Sequence, residues 1–308
     1  MRNAFIARLS ELAETNPNLV LVTGDLGFGV FDDFKSRFPD QFLNVGVAEQ
    51  NMTSVATGMA MEGLTTFTYS IGNFPTLRCL EHLRNDTFYH DANVIVVSVG
   101  GGYSYGQLGM SHHATEDLSV LRALPGVTIC APASRWETTQ AVDALIEAPG
   151  AAYLRLERAG TFEDDGGQSF ELGKARELRS GDAMTLIGIG GVMSEVVAAA
   201  DALEADGMSC RVLSMHTLRP FDADAAIAAA EETGGIVTVE ENTVLGGLGG
   251  AVAEVCLESD TRPRVFKRLG IGDRFTSEVG DQDYLRELAG IDRQSIAAQV
   301  RSLVNGAA

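Results

Sequence analysis

Apolar runs and helical patterns alternate along the first half of the chain. Continuous apolar runs at Leu19–Asp25 and Asn93–Gly100 are typical of buried parallel strands. Thr65–Ser70 is rich in β-forming residues, and Glu116–Leu124 has a helical period that Pro125-Gly126 ends. Strand and helix alternating at this spacing predict an α/β domain with a mostly parallel sheet.

A second series of the same kind follows a break in the pattern. The alternation stops at Thr161–Asp182, a polar stretch with few apolar positions, and then resumes. We interpret residues 166–182 as a linker between a first domain at 1–165 and a second at 183–308. The predicted fold class is therefore α/β, with two consecutive domains that each contain a mostly parallel sheet flanked by helices.

The composition favours a folded cytoplasmic protein that binds neither nucleic acid nor a membrane. Hydrophobic residues make up 45% of the 308 residues, enough for two cores. A net charge of −19 lacks the basic surface that nucleic acid or an anionic membrane needs. No apolar run reaches the roughly 18 residues of a membrane span, and the N-terminus lacks a signal-peptide core. The four cysteines have no metal-ligand spacing and fit buried thiols in a reducing compartment.

Signature motifs of several enzyme classes are missing. The sequence has no H-E-x-x-H, no P-loop and no strict G-x-G-x-x-G pattern. With five histidines and no Asp/His cluster, we expect no self-contained metal site. The glycine run Gly246–Gly250 opens a helical pattern. A tight strand-to-helix turn is its simpler interpretation, and anion binding at that helix start is the alternative.

Two stretches carry candidate chemistry. Glu49 ends an apolar run within Asn44–Met52, where a carboxylate is costly to bury without a partner. It lies either on a solvated helix start or opposite a specific partner. The glycine-rich loop Val99–Asp117 follows a buried strand, at the edge where open α/β sheets bind ligands, and it carries His112 and His113.

Both stretches resemble the transketolase family. The segments FLNVGVAEQNMTSVATGMAMEG and GMSHHATEDLSVLRALPGVTICAPAS are similar to its pyrimidine-binding domain, and LRPFD and TVEENTVLGGLGGAVAEV to its C-terminal domain. The resemblance covers nearly the whole chain, with the motifs in the family's order. It implies a thiamine diphosphate enzyme that moves a two-carbon ketol unit from a ketose to an aldose. The cofactor carries the chemistry, and the protein sets its tautomer and pose.

The resemblance assigns Glu49 to the catalytic glutamate that hydrogen-bonds nitrogen N1′ of the cofactor's aminopyrimidine. A carboxyl group in a dry site suits that task because it can share or donate a proton. Ile71 and Phe74 fall where the family has two aromatic residues that flank the ring. Phe74 fits and Ile71 departs, so Tyr69 is a candidate to compensate. Asp25 matches an aspartate near the cofactor and the subunit contact, although a turn aspartate explains it nearly as well.

The same comparison implies substrate residues. His112 falls on the family histidine that hydrogen-bonds the donor hydroxyl, so we expect it to be catalytic and to bind substrate, with His113 assisting. Arg158 falls on an arginine that holds the sugar phosphate, which suits the guanidinium fork, and a surface ion pair is the alternative. Gly100 and Leu108 replace a substrate histidine and an aspartate of the family. The cofactor half thus matches better than the sugar half, and we expect sugars other than the standard pentose phosphates.

The diphosphate-binding half of such a site is missing from the sequence. Family members hold the diphosphate and a divalent metal such as Mg2+ with a Gly-Asp-Gly motif, which this chain lacks. We therefore expect a partner, an N-terminal transketolase subunit that carries the motif and most of the metal ligands. Thiamine diphosphate would be shared between the two chains in a 2:2 heterotetramer around a two-fold axis. The small-molecule partners would be sugars or sugar phosphates.

Three other functions stay open. The scaffold also serves 1-deoxyxylulose-5-phosphate synthase and the decarboxylating subunits that act on 2-oxo acids, and the chain shares LRPFD and TVEEN with the latter. A non-catalytic regulatory or scaffold paralogue is the third, motivated by the departures at Ile71, Gly100 and Leu108. The retained Glu49 and His112 argue against that function.

Overall fold

Two parallel-dominated sheets organise the chain, whose computed structural model describes residues 1–27, 29–158, 162, 164, 166–167 and 169–306. The strands are β1 (Leu19–Thr23), β2 (Phe42–Asn44), β3 (Thr65–Ile71), β4 (Val94–Val99), β5 (Thr128–Cys130), β6 (Ala152–Leu156), β7 (Arg176–Arg179), β8 (Thr185–Ile189), β9 (Arg211–Ser214), β10 (Thr217–Arg219), β11 (Ile236–Thr243) and β12 (Phe266–Ile271). The predicted α/β class is confirmed.

Helices cover both faces of these sheets. The α-helices are α1 (Arg2–Ala13), α2 (Asp32–Arg37), α3 (Glu49–Met61), α4 (Leu80–His82), α5 (Asp117–Arg122), α6 (Arg135–Glu147), α7 (Met193–Ala205), α8 (Ala223–Glu232), α9 (Leu248–Glu258), α10 (Gln282–Ala289) and α11 (Arg293–Gly306). A π-helical stretch, Leu83–Phe88, extends α4, and short 3-10 turns lie at Pro39–Gln41, Leu77–Cys79, Gly106–Leu108, Met110–His112 and Gly190–Val192. None of the helices in the described part of the chain has the length and apolarity to cross a membrane.

Strand β1 shows why the strands of the first sheet have continuous apolar sequences. All five of its residues are buried. Leu19 and Leu21 join one core cluster, which includes residues of α1, and Val20 and Val22 join the cluster on the other face, which includes residues of α3. Because successive side chains of a strand point to opposite faces, a sheet covered on both sides needs apolar residues at every position.

The two sheets are less separate than the sequence predicts. The first sheet has the order β10-β5-β6-β4-β3-β1-β2, so its edge strand β10 comes from the second half of the chain. β10 pairs antiparallel with β5, and the Ala131 N–H donates to the carbonyl of His216 at 2.8 Å. The second sheet has the order β12-β11-β8-β9-β7, with β7 antiparallel at its edge.

Strand β7 lies inside the predicted linker 166–182, which therefore contains part of the second sheet. The sequence of β7 is polar for two reasons. It is an edge strand, and its first residue, Arg176, forms ion pairs with acidic side chains. Arg176 is buried, and its guanidinium lies 2.7 Å from Glu137 on α6 and 2.8 Å from Asp164. Buried charges need such partners. This pairing fastens the second sheet to a helix of the first.

The carboxyl ends of the parallel strands in the first sheet open at one edge. The residues that follow β1, β3, β4 and β6 are Gly24, Gly72, Gly100 and Glu157. In open α/β sheets this edge is the usual place for a ligand. Glu49 and the histidine loop, the two candidate stretches of the sequence, lie at this edge.

His216, which lies where the two halves of the chain meet, predicts how the stability of the protein depends on pH. Its side chain is fully buried, stacks on Phe170 with ring centroids 4.1 Å apart, and hydrogen-bonds Thr217 through Nδ1 at 2.9 Å. Burial, together with the charge of Arg176, lowers the pKa of His216 to about 3. The unfolded chain takes up this proton near pH 6.5 and the folded chain only near pH 3, so stability is complete above pH 6.5 and falls as the pH drops below it, by about 1.4 kcal/mol per unit at most.

We therefore expect His216→Gln to flatten the pH dependence of the free energy of unfolding between pH 6.5 and 4, as measured by urea denaturation. His90→Gln, at an exposed histidine, is the matched control and should follow the wild type. Parallel curves for wild type and His216→Gln would show that His216 does not titrate in this way.

Candidate active site

Glu49 is the first residue of α3, and its side chain is buried. The residue is 3% exposed, so it is not a solvated helix-start glutamate. One carboxylate oxygen, Oε2, accepts a hydrogen bond from Arg78 Nη1 at 2.8 Å. The other accepts no hydrogen bond from the residues that the structure describes. Glu49 thus has a charge partner on one side and a free acceptor on the other.

Arg78 is a site residue that the sequence analysis missed. The side chain of Arg78 is 46% exposed, and the central carbon of its guanidinium lies 4.6 Å from the centroid of the Phe74 ring. A cation over an aromatic face is a favourable contact. The signal in the sequence is weak, an arginine four residues after an aromatic residue in a segment that the structure folds as irregular turns.

Phe74 connects Glu49 to the histidine loop. Its ring meets the ring of His112 edge to face, with centroids 5.2 Å apart. Ile71 ends β3 and is half-buried, and its carbonyl accepts from the Phe74 N–H at 2.9 Å. Asn73 donates from its side chain to the carbonyl of His113, which ties the two loops together. The structure therefore connects Glu49 to His112 through Arg78 and Phe74.

His112 is half-buried, at the end of the 3-10 turn Met110–His112. Burial, reinforced by the neighbouring His113, lowers the pKa of His112 below its ordinary value. The ring is therefore neutral near pH 7, with one nitrogen able to accept a proton and one able to donate. Such a ring can exchange protons with a substrate hydroxyl.

Tyr105 is the second residue that the sequence analysis missed. A side chain at Gly100 would collide with its ring, so Tyr105 fills the space over that glycine. The ring lies 6.4 Å from that of His112, and the guanidinium carbon of Arg158 is 5.4 Å from its centroid. Burial raises the pKa of the Tyr105 phenol, so the ring stays neutral. Tyr105 thus bridges His112 and the exposed Arg158.

Three predicted residues lie apart from this cluster or have local partners. Tyr69 is buried in the core, edge-on to Phe31 at 4.6 Å, which leaves it no part in compensating for Ile71. His113 is buried, with its ring edge-on to Tyr103 at 5.2 Å, and it faces the interior instead of assisting His112.

Asp25 has a turn conformation, with φ of 60°. Its N–H donates to Asn44 Oδ1 at 2.9 Å, and Asn44 Nδ2 donates back to Asp25 Oδ1 at 3.0 Å. This reciprocal pair accounts for the aspartate as a turn residue. Its role at a cofactor stays a prediction.

The glycine run after β11 provides no open anion site. The carboxylate of Glu240 accepts the N–H groups of Leu248 and Gly249 at 2.8 and 2.9 Å, where an external anion would bind. The tight-turn interpretation of Gly246–Gly250 fits this arrangement. Among the described residues, no group of three or more His, Cys, Asp or Glu side chains is arranged to hold a metal ion.

Comparison with known proteins matches both halves of the chain. The family model of the transketolase pyrimidine-binding domain matches residues 1–161, and that of the transketolase C-terminal domain matches residues 173–296. One subunit of the apulose-4-phosphate transketolase of Phocaeicola vulgatus is 35% identical over 299 residues, 96% of this chain and 94% of that one. A subunit of the 6-deoxy-6-sulfo-D-fructose transketolase of Clostridium sp. is 34% identical over 298 residues, 96% of this chain and 92% of that one.

Among solved structures, a split-gene transketolase in an inactive β4 tetramer is similar, with a TM-score of 0.87 and 34% identity, over 99% of this chain and 97% of that chain. A 1-deoxy-D-xylulose-5-phosphate synthase of Syntrophus aciditrophicus also matches at 32% identity, but the aligned region covers 46% of that protein against 96% of this chain.

The contact between Gly100 and Tyr105 can be tested by a double-mutant cycle. Gly100 has φ of +95°, so Gly100→Ala introduces both backbone strain and a clash with the ring. We expect it to lower the free energy of unfolding by about 1–3 kcal/mol. In a Tyr105→Ala background the clash is gone, and the cost should shrink to the strain alone. Equal costs in both backgrounds, measured by chemical denaturation, would contradict this packing.

Proposed function

The chain belongs to the transketolase family, and we propose that it is the C-terminal subunit of a split, thiamine diphosphate-dependent transketolase. With a partner subunit it transfers a two-carbon ketol unit from a ketose to an aldose. The observation that carries the proposal is the buried carboxylate of Glu49, which has one oxygen on Arg78 and one oxygen free. The second carboxylate oxygen has no hydrogen-bond partner among the described residues, which a purely structural ion pair with Arg78 does not explain.

The residues present fit the aminopyrimidine half of the cofactor. Glu49 offers a free carboxylate oxygen to a ring nitrogen, and Phe74, which lies against the Arg78 partner of Glu49, offers an aromatic side chain. A Cβ at Gly24 would lie in contact with Glu49 Cγ at 3.5 Å, so the glycine leaves room beside this side chain. Bound thiamine diphosphate supplies a carbon nucleophile for the ketose carbonyl.

The residues of the cluster divide into a cofactor side and a substrate side. Glu49 orients the aminopyrimidine ring and holds a proton at its nitrogen, and Ile71 and Phe74 keep water from that contact. His112, neutral at pH 7, accepts and returns a proton at a hydroxyl of the donor sugar. Arg158 binds an anionic group at the other end of the sugar, with Tyr105 between the two.

The substrate class we infer is a ketose with a terminal phosphate or sulfonate. The two relatives described above carry one or the other in the names of their substrates. In this chain Arg158 is an exposed cation at the correct edge of the sheet, and a guanidinium binds either anion in a bidentate manner. The replacement of polar family residues by Gly100 and Leu108 supports a sugar other than the standard pentose phosphates.

The partner subunit supplies the diphosphate site. We infer a chain with the Gly-Asp-Gly motif that binds Mg2+ or another divalent metal, in a 2:2 assembly with this one in the cytoplasm. The inactive β4 tetramer of the similar split-gene protein supports the need for a second chain. Size-exclusion chromatography with light scattering on the co-expressed pair measures the stoichiometry, and a complex with one copy of each chain would refute a 2:2 assembly.

Glu49→Gln tests the function in the reconstituted complex. The amide cannot hold the proton that the ring nitrogen needs, so we expect kcat to fall at least about 100-fold with the complex intact. The matched control is Glu62→Gln, at the exposed C-terminal end of the same helix, which should leave kcat unchanged. Unchanged turnover in Glu49→Gln would favour the non-catalytic paralogue.

A donor screen separates ketol transfer from the other reactions of this scaffold. We expect cleavage of a phosphorylated or sulfonated ketose, tested with 6-deoxy-6-sulfo-D-fructose and with xylulose 5-phosphate as the reference donor, only when both subunits, cofactor and metal are present. Product from the isolated chain would overturn the split-subunit proposal. Release of carbon dioxide from pyruvate or another 2-oxo acid would instead identify a synthase or decarboxylase.

A further inference from the structure

The loop that carries Tyr105 and His112 rests on the second half of the chain. The Tyr103 N–H donates to Glu241 Oε1 on β11 at 2.6 Å, and its phenol shares a hydrogen bond with Thr276 at 2.7 Å. A side chain at Gly106 would collide with Leu285 of α10, so the loop backbone packs directly on that helix. The position of the loop therefore depends on residues outside its own domain.

A pair of buried carboxylates lies behind this loop. Glu157 follows β6 and Glu241 lies on β11, and each is 2% exposed. Ser104 donates its hydroxyl to Glu157 Oε2. Burial, with the charge of Glu241 next to it, raises the pKa of Glu157. Two acids in such a place repel each other unless donors hold them together.

Gln282, the first residue of α10, supplies that link. Its side-chain nitrogen lies 2.9 Å from Glu241 Oε1 and 3.3 Å from Glu157 Oε2. Arg286, one turn later on the same helix, pairs with Glu241 at 2.6 Å. The helix thus presents an amide and a guanidinium to the acid pair.

The neighbours in sequence connect this link to the substrate. Ser104 precedes Tyr105, and Glu157 precedes Arg158. A shift of the two carboxylates therefore moves the aromatic ring and the guanidinium that we assign to the anionic end of the substrate.

We propose that Gln282 is a positioning residue: by joining Glu157 to Glu241 it holds Tyr105 and Arg158 in place for the anionic end of the substrate. The second domain thereby takes part in substrate recognition without touching the substrate. The activity test of this inference rests on the proposed function, whereas its hydrogen-exchange test does not.

The sign of the charge at position 282 distinguishes this role from a role in the helix alone. Gln282→Lys keeps a donor between the two acids, Gln282→Ala removes it, and Gln282→Glu adds a third acid. We expect KM for the anionic donor to stay near the wild-type value for lysine and to rise about tenfold or more for alanine and glutamate. A helix start by itself prefers glutamate to lysine, so a helix role predicts the opposite order.

The measurement uses the reconstituted complex with xylulose 5-phosphate and unphosphorylated xylulose. Only the phosphorylated donor reaches Arg158. The kcat/KM for xylulose 5-phosphate divided by that for xylulose should therefore fall in Gln282→Ala and Gln282→Glu and stay near the wild-type value in Gln282→Lys. Gln294→Ala and Gln294→Glu, at an exposed glutamine of α11, are the matched controls and should match the wild type. An equal loss on both donors, or loss in Gln282→Lys equal to that in Gln282→Glu, overturns the proposal.

Hydrogen exchange on the full-length chain alone gives the second readout. We expect faster exchange of the amides of residues 101–112 in Gln282→Ala and Gln282→Glu, and wild-type exchange in Gln282→Lys. Unchanged exchange in Gln282→Glu overturns the positioning role whatever the substrate. A wild-type complex that is inactive on every phosphorylated and sulfonated ketose of the donor screen, while the exchange pattern holds, refutes the assigned substrate class and supports the link.

Discussion

The carboxylate of Glu49 is buried at the start of a helix, and much of the first domain is arranged to accommodate it. A charge removed from water needs a partner, and Arg78 provides one from the segment after β3. That segment also presents Phe74, which in turn contacts His112. The path from Glu49 to the histidine loop is thus continuous because the buried charge draws an arginine and its neighbours to it.

Other buried acids of this chain follow the same physical rule with different donors. Glu240 accepts backbone N–H groups of α9, Glu137 and Asp164 share Arg176, and Glu241 pairs with Arg286. In these cases the partner comes from a different part of the chain, and Arg176 of the second sheet pairs with Glu137 on a helix of the first domain. Buried charge therefore determines how the two halves meet as well as where the candidate site lies.

Some of this could be predicted from residue patterns and some could not. The buried parallel strands and the position of Glu49 follow from continuous apolar runs and from one carboxylate within them. Tyr105 was not predictable, because its contact with Gly100 depends on the path of a glycine-rich loop. Tyr69 and His113 were placed in the site by their position in the sequence, yet Tyr69 packs in the core against Phe31 and the turn at His112 directs His113 into the interior. The polar β7 has no apolar signal because it is an edge strand.

Strand β10 has a consequence for how the chain can be divided. It closes the edge of the first sheet although it comes some sixty residues after β6, the last strand that the first domain provides for itself. A protein cut at residue 165 would leave the edge of β5 without its neighbour, and unpaired edges recruit strands from other molecules. The family boundaries near residues 161 and 173 therefore separate two sequence units that do not correspond to two independent folding units. Genetic exchange of either unit between relatives would have to preserve this borrowed strand.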